Sequence, residues 1–390
     1  MIQSRLILVA ILSFTVINAA YSQTFIEKLT NIFEFELGDP PDDTLHYHTK
    51  IVIAPVMAYE PSTSLSLGIG TKLLFKFKNA PYETRTSNLP AAITYTLKNQ
   101  FIFSSEYTFF TNGEDYLIKG ALNFLKYPYF FYGVGNLTTE ESKRETDLKN
   151  FLFEPLVLKQ VYRKLFLGGG FRYNAFWDAE LGDEQPEGFD REVGASLIDS
   201  LNTRSVGFEF AATIDSRDNV LNALNGNFIE LTHGMYSETI GSSNTFSITK
   251  LNLRKYFRIT ENRLDVIAFE LFSRFTDGDV PIAELSALGG RELLRGFPES
   301  RFNDRHTIFF QTEYRWQAFE RIGFVGFTGV GDVFNRFDKK VRSDKLKYSL
   351  GAGIRLKIVK SENLNIRLDY GFGLGPERDN NFYLGIAEAF

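Results

Sequence analysis

Residues 346–358 read LKYSLGAGIRLKI. In an extended chain successive side chains point to opposite sides. Leu346, Tyr348, Leu350, Ala352, Ile354, Leu356 and Ile358 therefore share one face, and Lys347, Ser349, Gly351, Gly353, Arg355 and Lys357 share the other. A soluble sandwich strand alternates too. What separates the two cases is repetition of the pattern in neighbouring segments, with charges on the polar face. Leu364, Ile366, Leu368, Tyr370 and Phe372 oppose Asn365, Arg367 and Asp369, and Val206, Phe208, Phe210, Ala212 and Ile214 oppose Ser205, Glu209 and Thr213. About ten residues tilted by about 40° cross the roughly 25 Å apolar band of an outer-membrane barrel.

Alternation and turn punctuation predict about sixteen such strands from Lys50 onward, the last covering Phe382 to Phe390. The expected fold is all-β, a transmembrane antiparallel barrel of about sixteen strands. In an up-and-down barrel with both ends in the periplasm, the loops after odd strands face outside and are longer. Pro128 to Asn150, Trp177 to Asn202 and Thr276 to Arg305 fit the long class; Arg163-Lys164, Ala318 to Arg321 and Lys360 to Asn363 fit the short one. Connections 60–63 and 78–89 run against the trend. An aromatic at the end of the last strand, Phe390, suits the interfacial girdle.

Within the Thr276 to Arg305 loop, Leu285 to Phe302 reads LSALGGRELLRGFPESRF. It is far too long for a hairpin turn, and long ordered loops in compact β-proteins are usually functional or fold back over the structure. Arg295, framed by Leu294 and Gly296, suits a cation carried inward on a pinched backbone, because guanidinium grips carboxylates through parallel hydrogen bonds. A surface loop with a solvated arginine fits the same local residues.

The first 22 residues read as a secretory signal peptide: Arg5, an apolar run from Leu6 to Ile17, and Ala20-Tyr21-Ser22 before Gln23. Residues 23–49 form a short periplasmic lead-in, and 50–390 the barrel. His46 and His48 share one face of an extended segment, with no third metal ligand evident nearby. The chain has no cysteine, which removes disulfides, thiolate metal sites and a cysteine nucleophile. Mean hydropathy is only -0.15 beside 39 Phe and 18 Tyr, as expected when bilayer-facing and lumen-facing residues average out. A net charge of -5 argues against nucleic acid as a partner. No cofactor or metal is expected.

The chain resembles the barrels of the bacterial surface antigen superfamily, the BamA/TamA-like assembly factors. Leu294-Arg295-Gly296-Phe297 is similar to the family's V/I-R-G-F/Y motif on its sixth outside loop, which folds back into a sixteen-stranded barrel. Asp215-Ser216-Arg217-Asp218-Asn219, followed by Gly226, resembles the D-T-R-D-N...G periplasmic turn. Tyr127 to Asn136, YPYFFYGVGN, resembles an aromatic stretch ending in G-x-G-N, and Phe390 matches the aromatic recognition end of many outer-membrane proteins. In the family the loop arginine is held by carboxylates on later strands. The resemblance assigns one to Glu313, but Gly329 stands where the second belongs, and Asp332 has the wrong strand parity. Glu313 is therefore expected to be the main anchor left. The family's periplasmic polypeptide-transport-associated domains have no room in residues 23–49.

The resemblance implies a bacterial outer-membrane location and a part in insertion or translocation of outer-membrane proteins. The implied partners are membrane lipid, client proteins and separate assembly subunits. A seam between first and last strands would present backbone groups to a client strand. Pro55 either weakens pairing there or lies beyond the paired segment. The alternative is a passive pore or structural barrel. His233 and His306 show no Ser-His-carboxylate pattern, which points away from an enzyme.

Overall fold

The computed structural model describes residues 34–37, 47, 49–60, 64–97, 99–182, 191–260, 264–336, 346–360, 362–375 and 378–390. The expected signal peptide and both His46 and His48 lie outside these residues. A short strand, β1 (Glu34–Leu37), precedes the barrel. The first eight barrel strands are β2 (Thr49–Glu60), β3 (Ser64–Phe75), β4 (Ser87–Thr96), β5 (Phe101–Phe110), β6 (Tyr116–Phe131), β7 (Arg144–Tyr162), β8 (Leu165–Leu181) and β9 (Arg204–Asp215). β10 (Gly226–Tyr236), β11 (Phe246–Arg258) and β12 (Val266–Gly278) follow. After a two-stranded ribbon, β13 (Ser286–Leu288) and β14 (Phe302–Asp304), the wall resumes with β15 (His306–Trp316), β16 (Ile322–Phe334), β17 (Lys347–Val359), β18 (Leu364–Leu374) and β19 (Asp379–Ile386). The sixteen long strands make an antiparallel, nearly closed barrel.

Burial is inverted relative to a soluble sheet. In β9, Phe208 and Phe210 are more than half exposed, while Glu209 and Thr213 between and beyond them are buried. In β18, Tyr370, Phe372 and Leu374 face out, and Asn365, Arg367 and Asp369 face in. The apolar face is solvated by hydrocarbon and the polar face lines a filled lumen. No helix among the described residues is long and apolar enough to cross a membrane.

Four elements differ from expectation. β7 and β8 run 19 and 17 residues, well beyond the alternating stretches, because their ladder continues through polar pairs such as Asp147 opposite Glu180. Alternation stops where the apolar band stops, but backbone pairing does not. In the expected Trp177 to Asn202 loop, helix α1 (Arg191–Leu201) lays Leu197, Ile198 and Leu201 against Leu148, Phe176 and Ala179. The final strand ends at Ile386, and Phe390 does not reach the girdle. Continuing the strand would put Glu388 on the same face as Phe382 and Leu384, in hydrocarbon, so the chain turns inward at Ala387, where φ is +79°.

Phe210 lies near the middle of β9. Phe210→Arg is expected to cost about 2–4 kcal/mol, the usual penalty for a cation at the bilayer midplane. Urea unfolding of the folded barrel in lipid, followed by heat-sensitive gel migration, measures it; an unchanged midpoint would place that face in water.

Candidate functional site

After β12 the chain turns into the lumen. Glu284 is buried against Arg172 (2.9 Å) and Arg274 (3.2 Å), and it accepts from Asn174. The ribbon β13–β14 then delivers the tip, where Leu288, Leu294, Phe297 and Phe302 pack with Phe309 and Val333. Leu294 holds a φ of +68°, a strained value for a branched side chain, and Gly296 one of +121°. A Cβ on Gly296 would stand 2.5 Å from the Gly373 nitrogen of β18. The motif needs glycine here because backbone meets backbone. Tyr383 of β19 accepts from the Gly296 amide (2.9 Å) and donates to the Phe297 carbonyl (3.1 Å), while Asn381 donates to the Gly296 carbonyl.

Arg295 is completely buried. Its guanidinium lies over the Phe327 ring, 3.6 Å from the centroid, and forks between two carboxylates: Glu313 of β15 and Asp369 of β18, the latter at 2.7 Å. The arrangement continues around a ring. Glu313 also binds Arg315 (2.8 Å), Arg315 approaches Glu388 (3.9 Å), Glu388 binds Arg355 (2.6 Å), and Arg355 returns to Asp369 (2.5 Å). The loop arginine, two wall arginines and three carboxylates thus form a six-membered circuit, Arg295, Glu313, Arg315, Glu388, Arg355 and Asp369, with Arg367 beside Asp369 at 4.0 Å. Alternating charge lets each ion offset its neighbours' desolvation, without which burial would be costly.

Asp369 was not singled out in the sequence, and Glu313 does not act alone. The reason is visible at Gly329: Leu294 lies 3.1 Å from where its Cβ would be. The loop's leucine fills the space of the expected aspartate, and β18 supplies the second carboxylate instead. The only sequence signal was the charge of Asp369 on the polar face of its strand. Arg301 was also missed. It is fully buried between the Tyr132 and Phe302 rings and donates to the Thr138 carbonyl (3.0 Å). The YPYFFYGVGN stretch thereby holds the loop's second half: the Gly135 amide donates to the Asn303 carbonyl (2.7 Å), while Asn136 ties the stretch to Asp332 of β16 (3.0 Å).

At the short-turn end, the segment 216–225 crosses the barrel. Asp215 binds Arg217 and Arg85, both at 2.9 Å; Arg85 also binds Glu114, which receives Lys164. Asp218 accepts from the amides of Leu224 and Asn225, closing the turn on itself. Gly226, at φ +114°, has no room for a side chain, since a Cβ would lie 2.7 Å from the Arg217 Cα. Val220 packs with Phe110, Leu158 and Phe166, Leu221 with Val52, Leu74 and Val359, and Ala223 with Tyr256 and Ala268. Those partners lie on strands around the whole ring. Asn219 and Asn222 also donate to the carbonyls of Glu362 and Asn363.

The Omp85 superfamily domain model matches residues 171–390, more than half of the sequence. The chain belongs to the Omp85 superfamily. Its fold is similar to BamA from Haemophilus ducreyi lacking POTRA domains 1–3, at 12% identity and a TM-score of 0.52, covering 94% of this chain and 77% of that one. It is also similar to CdiB from Acinetobacter baumannii (12% identity, TM-score 0.52) and CdiB from Escherichia coli (10%, 0.56). These alignments cover 86% and 90% of this chain, but only 59% and 64% of those proteins, less than two thirds. No curated protein matches the sequence. This Omp85 barrel resides in the bacterial outer membrane.

In this Omp85 barrel the residues after β19 run across the lumen floor. Phe390 packs with Tyr256, Val266 and Ala268, and its carbonyl accepts from Arg315 (2.9 Å). Of the two histidines considered for catalysis, His233 shares a hydrogen bond with Thr249, and His306 lies between the Phe275 and Phe334 rings.

Arg295→Ala is expected to open the loop by about 3 kcal/mol, the low end for breaking a buried pair, because Glu313 and Asp369 each keep a second arginine. Arg295→Lys should rescue little, since an ammonium cannot fork between two carboxylates. Adding Glu313→Ala to Arg295→Ala should cost less than the sum of the two single effects. Protease cleavage at exposed Arg291 measures all three variants, and strict additivity would show that the two residues do not pair.

Three carboxylates outside the spanning strands titrate low. Burial pushes each up, but Arg85 and Lys164 outweigh it at Glu114, Arg172 and Arg274 at Glu284, and Arg355 and Arg315 at Glu388. A depressed carboxylate stabilises above its unfolded pKa, near about 4.3, and that contribution is lost as pH falls through the folded value. Hydrogen exchange, corrected for intrinsic rate, is expected to show 216–225 and 279–305 protected at pH 7 and loosened below about pH 4. Equal protection at both would mean these ion pairs do not hold the segments.

Proposed function

We propose that this Omp85 barrel takes part in inserting outer-membrane proteins into the bilayer, or moving them across it, by lending the seam edge of β2 to a client strand. The observation that carries this reading is the seam itself. Every other pair of neighbouring barrel strands has a residue-by-residue register, whereas among the described residues β19 and β2 adjoin without one. Backbone groups left unpaired in hydrocarbon cost several kcal/mol each, so an extended client segment gains most where the wall is open. The lumen loop and the 216–225 turn speak against a wide water-filled pore. A leader over residues 1–22 would bring the chain to the periplasm, where client barrels and separate assembly subunits meet it.

One observation favours the second reading, a passive pore or structural barrel: Arg291 and Glu292 at the loop tip are about half exposed, so water remains beside the loop. Liposomes carrying the purified barrel, supplied with an unfolded heat-modifiable client, separate the two. Client folding several-fold above protein-free liposomes is expected; folding at the protein-free rate, together with steady ion conductance, would favour the pore.

A further inference from the structure

β1 pairs antiparallel with the beginning of β2: Glu34 stands opposite Val52, Phe35 opposite Ile51, Glu36 opposite Lys50 and Leu37 opposite Thr49. The other edge of β2 is filled by β3, in register from Lys50 to Glu60. β1 therefore lies on the seam edge.

Three prolines show what that edge lacks. Pro90 leaves the β3–β4 register intact but interrupts β4–β5 between Asn88 and Ala92. Pro155 leaves β6–β7 intact but interrupts β7–β8 between Phe153 and Leu156. Each proline breaks the ladder only on the side where its nitrogen would have donated. Pro55 sits in an unbroken β2–β3 register opposite Ile69. Its missing donor thus falls on the seam, three residues above the segment that β1 covers.

β19 ends at the same place. Ile386, at the end of β19, lies with its Cδ1 3.7 Å from where a side chain on Gly70 of β3 would be. Glu388 and Phe390 are then held across the lumen by Arg355 and Arg315. The end of β19 lies against β2, where Ile386 and Ala387 pack in one cluster with Val52, but the register of the first residues of β2 on that edge is with β1.

We propose that Glu34–Leu37 is a resident strand, which occupies the seam edge of β2 in the resting barrel and has to leave before a client strand pairs there. The proposal rests on the seam reading given above. Four residues make only a few ladder bonds, whereas a spanning client strand of about ten makes more, so exchange favours the client. An exposed edge is also a template for unwanted pairing, and a short covering strand is a common protection.

The chain has no cysteine of its own, so introduced pairs report cleanly. Register partners lie about 4.5–5.5 Å apart at Cα, within disulfide range. Under a mild oxidant, Phe35→Cys with Ile51→Cys is expected to cross-link in outer membranes as fully as the β2–β3 control, Ile51→Cys with Leu73→Cys. The locked barrel should then insert client several-fold more slowly in liposomes, with full recovery on reduction. Absence of the link while the control forms overturns the proposal. So does a locked barrel that inserts as fast as the reduced one. If the link forms but the unaltered protein inserts no client, the resident strand stands and the insertion reading falls.

Discussion

The structure turns on one guanidinium held between two carboxylates. Arg295 has no exposed surface, and inside a membrane barrel a bare cation is tolerated only when it is paired. Its partners come from different strands, Glu313 on β15 and Asp369 on β18, with Phe327 of β16 beneath it. A single side chain therefore fixes the loop against three strands of the wall, β15, β16 and β18. The strained Leu294 and the backbone contact at Gly296 are the local consequences, since the tip must narrow to bring its arginine to that depth.

The lumen is the core of this protein, and it is built from charge. Where a soluble barrel would fill its interior with branched apolar side chains, this one fills it with ion pairs and a loop whose own apolar residues form one cluster with Phe309 and Val333. Glu284 performs for the start of the loop what Arg295 performs for its tip, with the signs reversed: one buried carboxylate is shared by Arg172 and Arg274. The Asp215 turn repeats the device at the short-turn end through Arg85 and Arg217. In each case charge sets position, and a few apolar contacts fill the remaining space.

The strands were legible in the sequence because the bilayer imposes their alternation, as at Lys347 to Lys357, where every polar residue faces in. What the bilayer does not touch was hidden. The outer halves of β7 and β8 pair through polar residues with no pattern to read, and α1 lies over the barrel in a stretch that reads as loop. Asp369 is separated from Arg295 by 74 residues, and only the curvature of the wall brings them together. The inward turn of the last residues had a signal that went unused: Glu388 shares strand parity with Phe382 and Leu384, and a carboxylate cannot remain on that face. Gly329 was legible as a departure, but its meaning depends on Leu294, which fills the space it leaves.

The ion-pair circuit also reaches the residues beside the seam. A longer last strand would require residues 387–390 to stay in the wall, yet Arg355 and Arg315 hold Glu388 and Phe390 inside the lumen. Those are the same two arginines that support Asp369 and Glu313, the carboxylates that hold the loop. Loop and seam therefore share their counter-ions. Withdrawing Arg295 frees both carboxylates to compete for Arg315 and Arg355 and weakens the hold on the tail, while releasing the tail leaves the two arginines wholly to the loop's anchors. Tail and loop thus draw on the same counter-ions, and a change in the hold on one would bear on the other to the same extent in both directions, as linkage between two equilibria requires.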